Sequence, residues 1–316
     1  MKMAPFKGDD VGFGYTIETD FDESPTGEAQ TTWLGIIPSI EFSDAPEWKD
    51  YHTVNGSRDM FLENQGKMLV TGNIPIELQN GRIIYLAMGG LTETGSAPAT
   101  HTITGTKSVP SICMEVDLRG TDNFLRYYRG VKINTLEIEA VDGGEVHATA
   151  AFAAARSEKS SNTVSTISSV TTLPFMYHQG AVTIDDYADY DITTFKWTIN
   201  NTLKPRHTVR STDGKYAKMI IEGKRDYTIT ANIIIPDVTT YNESIYDLLQ
   251  AGTTFTTIIS LTRTSESDDM TMTASNCTIR NAPHNIPETG EEVEVSVEIK
   301  PRSCTWVIHD AIESYD

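Results

Sequence analysis

The chain has 316 residues, enough for one large β-domain or for two of about 100–150 residues each. At 39% hydrophobic and 22% charged it has a soluble composition, with no apolar run near the roughly 20 residues of a membrane helix. Its net charge of −19 excludes a protein that grips nucleic acid through phosphates, which needs a basic face, but not one that touches DNA without holding it.

The opening MKMAPFKGDD lacks a signal peptide's apolar core, so synthesis in a cytoplasm is expected. Residues 1–32 are rich in Gly, Asp and Glu and read as an N-terminal arm, with Phe13 and Tyr15 around Gly14 allowing a short strand. A first domain, 33–156, opens at Trp33. A strand is expected over Ile36–Phe42, then a polar, aromatic-studded loop or extended hairpin over Pro46–Gly56. A strand pair over Met60–Leu62 and Lys67–Glu77 would turn at Asn64-Gln65-Gly66. Ile83–Met88 reads as a short helix, because Gly89-Gly90 can take the left-handed conformation that ends one. Residues 92–110 read as a Thr/Gly/Ser/Pro loop, and Ile112–Leu118 as a strand. Arg126–Arg156 is a long hairpin. Leu136, Ile138 and Ala140 alternate with Thr135, Glu137 and Glu139; Asp142-Gly143-Gly144 turns; Val146, Ala148, Ala150 and Phe152 resume the apolar face.

Ser157–Thr172 is polar and low in complexity, a linker expected to bridge domains without contributing core. The pattern then restarts in a second domain, 173–302, followed by a C-terminal tail, 303–316. A shift of about 159 residues superposes Ile40 on Ile199, Pro46 on Pro205, Met60 on Met219, Asn73 on Asn232 and Ile74 on Ile233. Ile245–Leu249 with Gly252 parallels Ile83–Gly90. The shift drops to about 147 at the last hairpin, pairing Glu145 with Glu292. Two copies are too few for a solenoid or a propeller, so closure must come from subunits.

In this order the segments GFGYTIETDF, TTWLGIIPSIEF, KMLVTGNIPIEL and RYYRGVKINTLEIEAVDGGEVHATAAF, with ITTFKWTINNTLKP, RDYTITANIIIPD and GEEVEVSVEIKPR in the second copy, resemble the major tail tube proteins of long-tailed bacterial and archaeal viruses in their duplicated-domain form. The resemblance implies a mainly β fold: two tandem tail-tube-type β-sandwich or barrel domains, each with a short flanking helix. It also implies inner sheets that join into a ring-shaped β-barrel on oligomerisation. Trimeric, pseudo-hexameric rings would stack into a hollow tube in the virion through which viral DNA passes without specific binding. Implied partners are further copies of the chain and the tail terminator, distal tail and tape measure proteins, with no membrane. Alternatives are another ring-forming tail component, such as a distal tail or terminator protein, or a two-domain carbohydrate-binding β-sandwich.

No catalytic, cofactor or metal motif stands out. The seven His residues are isolated, no nucleophile elbow, HExxH, P-loop or EF-hand pattern occurs, and Cys113, Cys277 and Cys304 form no CxxC pair. No enzyme activity and no cofactor are expected. Glu292, Glu294 and Glu298 share one strand face against Val293, Val295, Val297 and Ile299, with Glu145 as repeat-mate. They are either an ordinary solvated face or the wall of a lumen that keeps DNA off by repulsion over about 10 Å at 0.1 M salt. Trp48, Tyr51, Arg126, Tyr128 and Arg129 are candidates for contacts within or between rings; Tyr127 and Trp33 are apolar anchors of the same kind, with burial in the core equally open for Trp33.

Overall fold

The structure, a computed structural model, describes residues 11–25, 30–54, 58–96, 98–118, 124–160, 164–185, 187–188, 191–210, 212–235, 237–263, 268–286, 288 and 292–316. Its first strands are β1 (Val11–Ile17), β2 (Glu41–Tyr51), β3 (Leu62–Glu77), β4 (Gly89–Thr94), β5 (Ala99–Gly105), β6 (Ile112–Leu118), β7 (Phe124–Val141), β8 (Val146–Ala154) and β9 (Arg156–Ser160). They continue with β10 (Gly180–Ile184), β11 (Asp191–Asn200), β12 (Lys204–Arg206), β13 (Met219–Ile221) and β14 (Asp226–Ile234). The last are β15 (Phe255–Arg263), β16 (Asp268–Asn281), β17 (His284–Asn285), β18 (Glu294–Lys300) and β19 (Ser303–Asp310). Helix α1 (Arg82–Met88) follows β3. Helices α2 (Val238–Tyr241) and α3 (Asp247–Ala251), joined by a π-helical turn over Asn242–Tyr246, follow β14.

Antiparallel pairing joins these strands into three surfaces, apart from β12 and β13, which pair only with each other. The largest runs β2-β3-β8-β7-β11-β14-β18-β16. A second runs β4-β5-β19-β16-β15-β10. A third, shorter one runs β1-β6-β7-β9. Strands β7 and β16 each serve two surfaces. β7 crosses over at Gly130, whose φ of +60° favours glycine and where a Cβ would meet Ala155 and the Phe21 ring inside 3 Å. β16 crosses at Asn276, also left-handed at φ 51°, which Asn tolerates. Among the described residues the single chain closes no barrel.

The core lies between the layers. Ile74, Ile138, Trp197, Ile229, Val295 and Val297 enter it from the large sheet, and Ile103, Ile259, Met272, Trp306 and Ile308 from the opposing one. The Trp197 and Trp306 rings meet edge to face, 5.4 Å between centroids. Helix α1 buries every residue from Ile83 to Met88 and stops at Gly89, which has φ +93° and donates its N–H to the Tyr85 carbonyl.

Several sequence expectations are corrected by the pairing. β3 runs without a break through Asn64-Gln65-Gly66, so the turn lies instead between Tyr51 and Leu62, and β2 starts at Glu41 rather than Ile36. Within 92–110, Ala99, His101 and Ile103 alternate inward and build the β4–β5 hairpin, because Thr is a good strand residue as well as a loop residue. Ser303–Asp310 is not a tail: β19 lies between β5 and β16, with Cys304, Trp306 and Ile308 buried. The expected linker begins as strand β9 against β7, and buried Ser165 gives its N–H and hydroxyl to Glu115, both at 2.8 Å.

Pairing also re-registers the repeat. With Asn73 set on Asn232, as the expected repeat has them, the cross-strand partners are Glu41 and Thr194, a shift of 153 for β2 and β11. Ile74 pairs with Ala150 and Ile233 with Val295, a shift of 145 for β8 and β18. Glu292 therefore corresponds to His147 rather than to Glu145. The strand order β2-β3-β8-β7 recurs as β11-β14-β18-β16.

The chain end is clasped by a buried imidazole. His101 Nδ1 meets Glu93 Oε1 at 2.8 Å, Nε2 meets the Ile312 carbonyl at 2.9 Å and Asp310 Oδ1 at 3.2 Å, and the ring stacks on Tyr315 at 3.8 Å. Burial favours the neutral ring, but Asp310 and Glu93 outweigh it and raise the pKa above the usual 6.5. Burial likewise opposes ionisation of Glu93, but hydrogen bonds from Ser314, Tyr315 and His101 outweigh it and lower its pKa below 4.5.

Two outcomes are expected. The clasp's contribution is complete between pH 4.5 and 6.5; it is lost upward through the raised value of His101 and downward through the lowered value of Glu93. Urea midpoints measured against pH should show this dome, and H101Q should flatten its alkaline flank. Trp306→Ala should cost about 3–5 kcal/mol in the same titration, the price of a large core cavity; a cost near zero would return 303–316 to a dispensable tail.

Candidate functional site

The feature that no core requirement explains is the outer face of the large sheet. Strand alternation sets it: while Ile74, Ile76, Leu136, Ile138, Val295 and Val297 point inward, their neighbours must point out. From β3 to β18 those neighbours are mostly polar, Pro75 and Ala151 being exceptions. They include Asn73 and Glu77 on β3, His147 and Thr149 on β8, and Glu137 and Glu139 on β7. The row continues through Lys196 and Thr198 on β11, Asp226, Thr228 and Thr230 on β14, and Glu294, Ser296 and Glu298 on β18.

The face is net negative. Glu77, Glu137, Glu139, Asp226, Glu294 and Glu298 outnumber Lys196 and Lys300, and both lysines are already engaged. Lys196 Nζ lies 3.0 Å from Glu137 Oε1 and 3.4 Å from Glu139 Oε1; burial would lower its pKa, but the two carboxylates raise it. Lys300 Nζ sits 2.8 Å from Asp226 Oδ2 and 2.6 Å from Thr228 Oγ1. The face therefore has little spare positive charge to offer a phosphate.

Of the four acids singled out from the sequence, Glu294 and Glu298 lie within this face, while Glu145 and Glu292 are exposed just ahead of β8 and β18. Glu77, Glu137, Glu139 and Lys196 belong to the same face; the alternation of LEIEA carried that signal for β7. Glu77, Glu145 and His147 place three potential metal-ligand atoms within 4.8 Å of one another, with His147 Nδ1 2.6 Å from Glu77 Oε2. Only the β3–β8 pairing of Glu77 with His147 brings them together, so spacing in sequence gave no sign of it.

The contact candidates separate. Trp48 and Tyr51 are about half exposed on the β2–β3 hairpin, whose far end also exposes Val54, Met60, Phe61 and Leu62. Tyr128 is buried and stacks on Phe42 at 4.1 Å. Arg129 is nearly buried, 2.9 Å from Glu158 and 3.4 Å from Asp22, so both side chains serve the chain's own packing. Arg126 is partly exposed and holds Asp44 at 2.9 Å on the rim of an apolar cavity of about 700 Å³. Phe13, Trp33, Ile37, Ile40, Phe42 and Tyr128 line that cavity, which opens beside β2. Tyr127 is core.

The three thiols are buried, and burial raises the pKa of each, Cys304 to about 12. No helix among the described residues is long and apolar enough to cross a membrane.

A wide antiparallel sheet with a sealed apolar side and a charged open side places the chain among the mainly β proteins. The sequence matches the phage tail tube protein family over residues 8–301, and the chain belongs to that family, one of structural virion proteins. No curated protein matches it.

The polar face predicts a contrast between neighbours. Reversing Glu294 and Glu298 to Lys should leave the unfolding midpoint within about 0.5 kcal/mol, as exposed substitutions do. Val295→Lys, at a fully buried position, should abolish the cooperative transition by placing an unpaired charge in the core. Thermal melts followed by circular dichroism distinguish the two.

Proposed function

We propose that this chain is the tube-forming subunit of a long viral tail: three copies make a ring, rings stack, and DNA passes through the bore. The observation that carries this reading is the joint between β7 and β11. There the chain's own two half-sheets already fuse, Thr135–Val141 against Thr194–Asn200, into one continuous surface. The recurrent order β2-β3-β8-β7 and β11-β14-β18-β16 supports a tandem duplication, and a joint that repeats between copies closes a ring after three chains, giving six similar units. A sheet edge with unsatisfied N–H and C=O groups is a liability that closure removes. A head-to-tail contact that does not close on itself builds a filament.

On this reading the acidic face lines the bore. Attraction to phosphates would exchange counterions for direct contacts and stall the DNA. Repulsion screened within about 10 Å keeps it off the wall without driving it, so the wall lubricates rather than pumps. Terminator, distal tail and tape measure proteins are the partners at the tube's ends and in its bore, after synthesis in the host cytoplasm. The role needs no catalysis.

Negative-stain electron microscopy and native mass spectrometry of the purified protein test it. Three-chain rings that stack into hollow tubes are expected. Rings that never stack would favour a terminator or distal tail role, six-chain rings would overturn the pseudo-sixfold count, and a monomer at every concentration would overturn tube formation.

A further inference from the structure

The β7–β11 joint has a second edition in the chain with one partner missing. Within the joint, Ile138 lies opposite Trp197 and Ala140 opposite Phe195, all buried, and just beyond it Lys132 Nζ reaches Glu222 Oε1 at 2.7 Å. The pairing registers translate each side of this joint. β11 corresponds to β2 by the shared partners Asn232 and Asn73, so Trp197 becomes Asp44 and Phe195 becomes Phe42. On the other side, Leu136 pairs with Ala150 as His284 pairs with Val295, so Ile138 becomes Ile286.

Neither translated side has a sheet partner on its outer edge among the described residues: β2 pairs with β3 and β17 with β18. Both show what a missing partner leaves behind. Beside β2 the layers gape into the apolar cavity of about 700 Å³, whereas beside β11 the corresponding place is filled. Ile286 is 78% exposed, although its counterpart Ile138 is sealed.

Charge points the same way. Lys224, Arg280 and Arg302 surround one cleft at the β16 end of the sheet, together with Arg225 and the Lys300–Asp226 pair, a basic spot on an acidic chain. On the β2–β3 hairpin, where Glu47 is already tied to Lys67 at 3.2 Å, Asp50 stands directly opposite Glu63, a like-charge pair that costs stability when left uncompensated. Glu63 is the counterpart of Glu222. Arg280 stands within one residue of the counterpart of Lys132, the offset arising because the bulge falls at Arg280 in β16 and at Asn134 in β7.

Resting on the side-by-side assembly proposed above, we infer that residues 280–286 of one copy add antiparallel to β2 of a second copy, in the register that sets Ile286 opposite Asp44. Ile286 then covers the rim of the cavity, beside the Asp44–Arg126 pair and next along the strand from Phe42. Arg280 meets Asp50 and Glu63. The cavity is thus a socket for a second copy of this chain rather than a ligand site, and the open sheet gains its missing neighbour.

The register is tested by cross-linking in the full chain. Asn285 falls opposite Ala45, as Glu137 falls opposite Thr198. N285C with A45C should give a covalent ladder of chains on a non-reducing gel, while N285C with L69C, one strand further in, should not. The native cysteines are buried and leave the readout clean. I286D and R280E should each raise the concentration needed for ring assembly at least tenfold with unchanged melting, I286L should assemble normally, and R280E with E63R should recover assembly. Rings that form in the wild type but give no A45C–N285C ladder, or that tolerate I286D, would overturn this register and leave the tube reading standing. A wild type that makes no rings would overturn both. If R280E fails to melt cooperatively, the cross-link and Ile286 variants decide.

Discussion

Strand β7 is satisfied on both edges for most of its length, and the rest of the molecule depends on that. Its first half pairs with β6 and β9, its second half with β8 and β11. Backbone hydrogen bonds are obligatory inside a protein, so a strand flanked twice over in two sheets fixes where both sheets lie. The turn between the two duties falls at Gly130, whose amide also donates to Glu18 Oε1 at 2.8 Å. A side chain there would collide with Ala155 and Phe21 and decouple the small sheet from the large one.

From that frame follow the properties of the polar face. Its rigidity comes from what lies beneath: Ile138, Trp197, Ile229 and Val297 leave no room for a strand to slip, because a one-residue slip would exchange the two faces completely. Its electrostatics come from what is spread over it. Two lysines, each tied to a carboxylate, punctuate a field of acids, and the tie to Glu137 and Glu139 on the neighbouring strand also crosses the joint between the half-sheets. The same ion pair therefore braces the seam and neutralises a charge that would otherwise face outward.

Periodicity exposed the faces before the pairings were known, and it did so even where the alignment was displaced. The shifts of about 159 and 147 read from the sequence differ by six and two residues from the pairing shifts of 153 for β2 and β11 and 145 for β8 and β18. Both errors are even, so every side chain stayed on its correct side. What the sequence concealed was non-local. β19 reads as a loose end until β5 and β16 are seen flanking it. The Thr-rich 92–110 stretch reads as a loop because Thr serves both strands and turns. Arg129 reads as a surface cation because its partners Glu158 and Asp22 lie far away in sequence, and Glu77 meets His147 only through strand pairing. The cavity beside β2 had no signature at all, since Phe13, Ile40, Phe42 and Tyr128 are scattered along the chain and each looks like ordinary core.

The three buried thiols bear on what happens to such a protein outside a cell. Disulfide exchange runs through the thiolate, and a thiol held in apolar surroundings with its pKa pushed upward supplies almost none at neutral pH. A virion component leaves the cell that made it and is not repaired afterwards. With Cys113, Cys277 and Cys304 sealed inside, a change of redox regime reaches none of its thiols, and no disulfide forms to tie one copy to another.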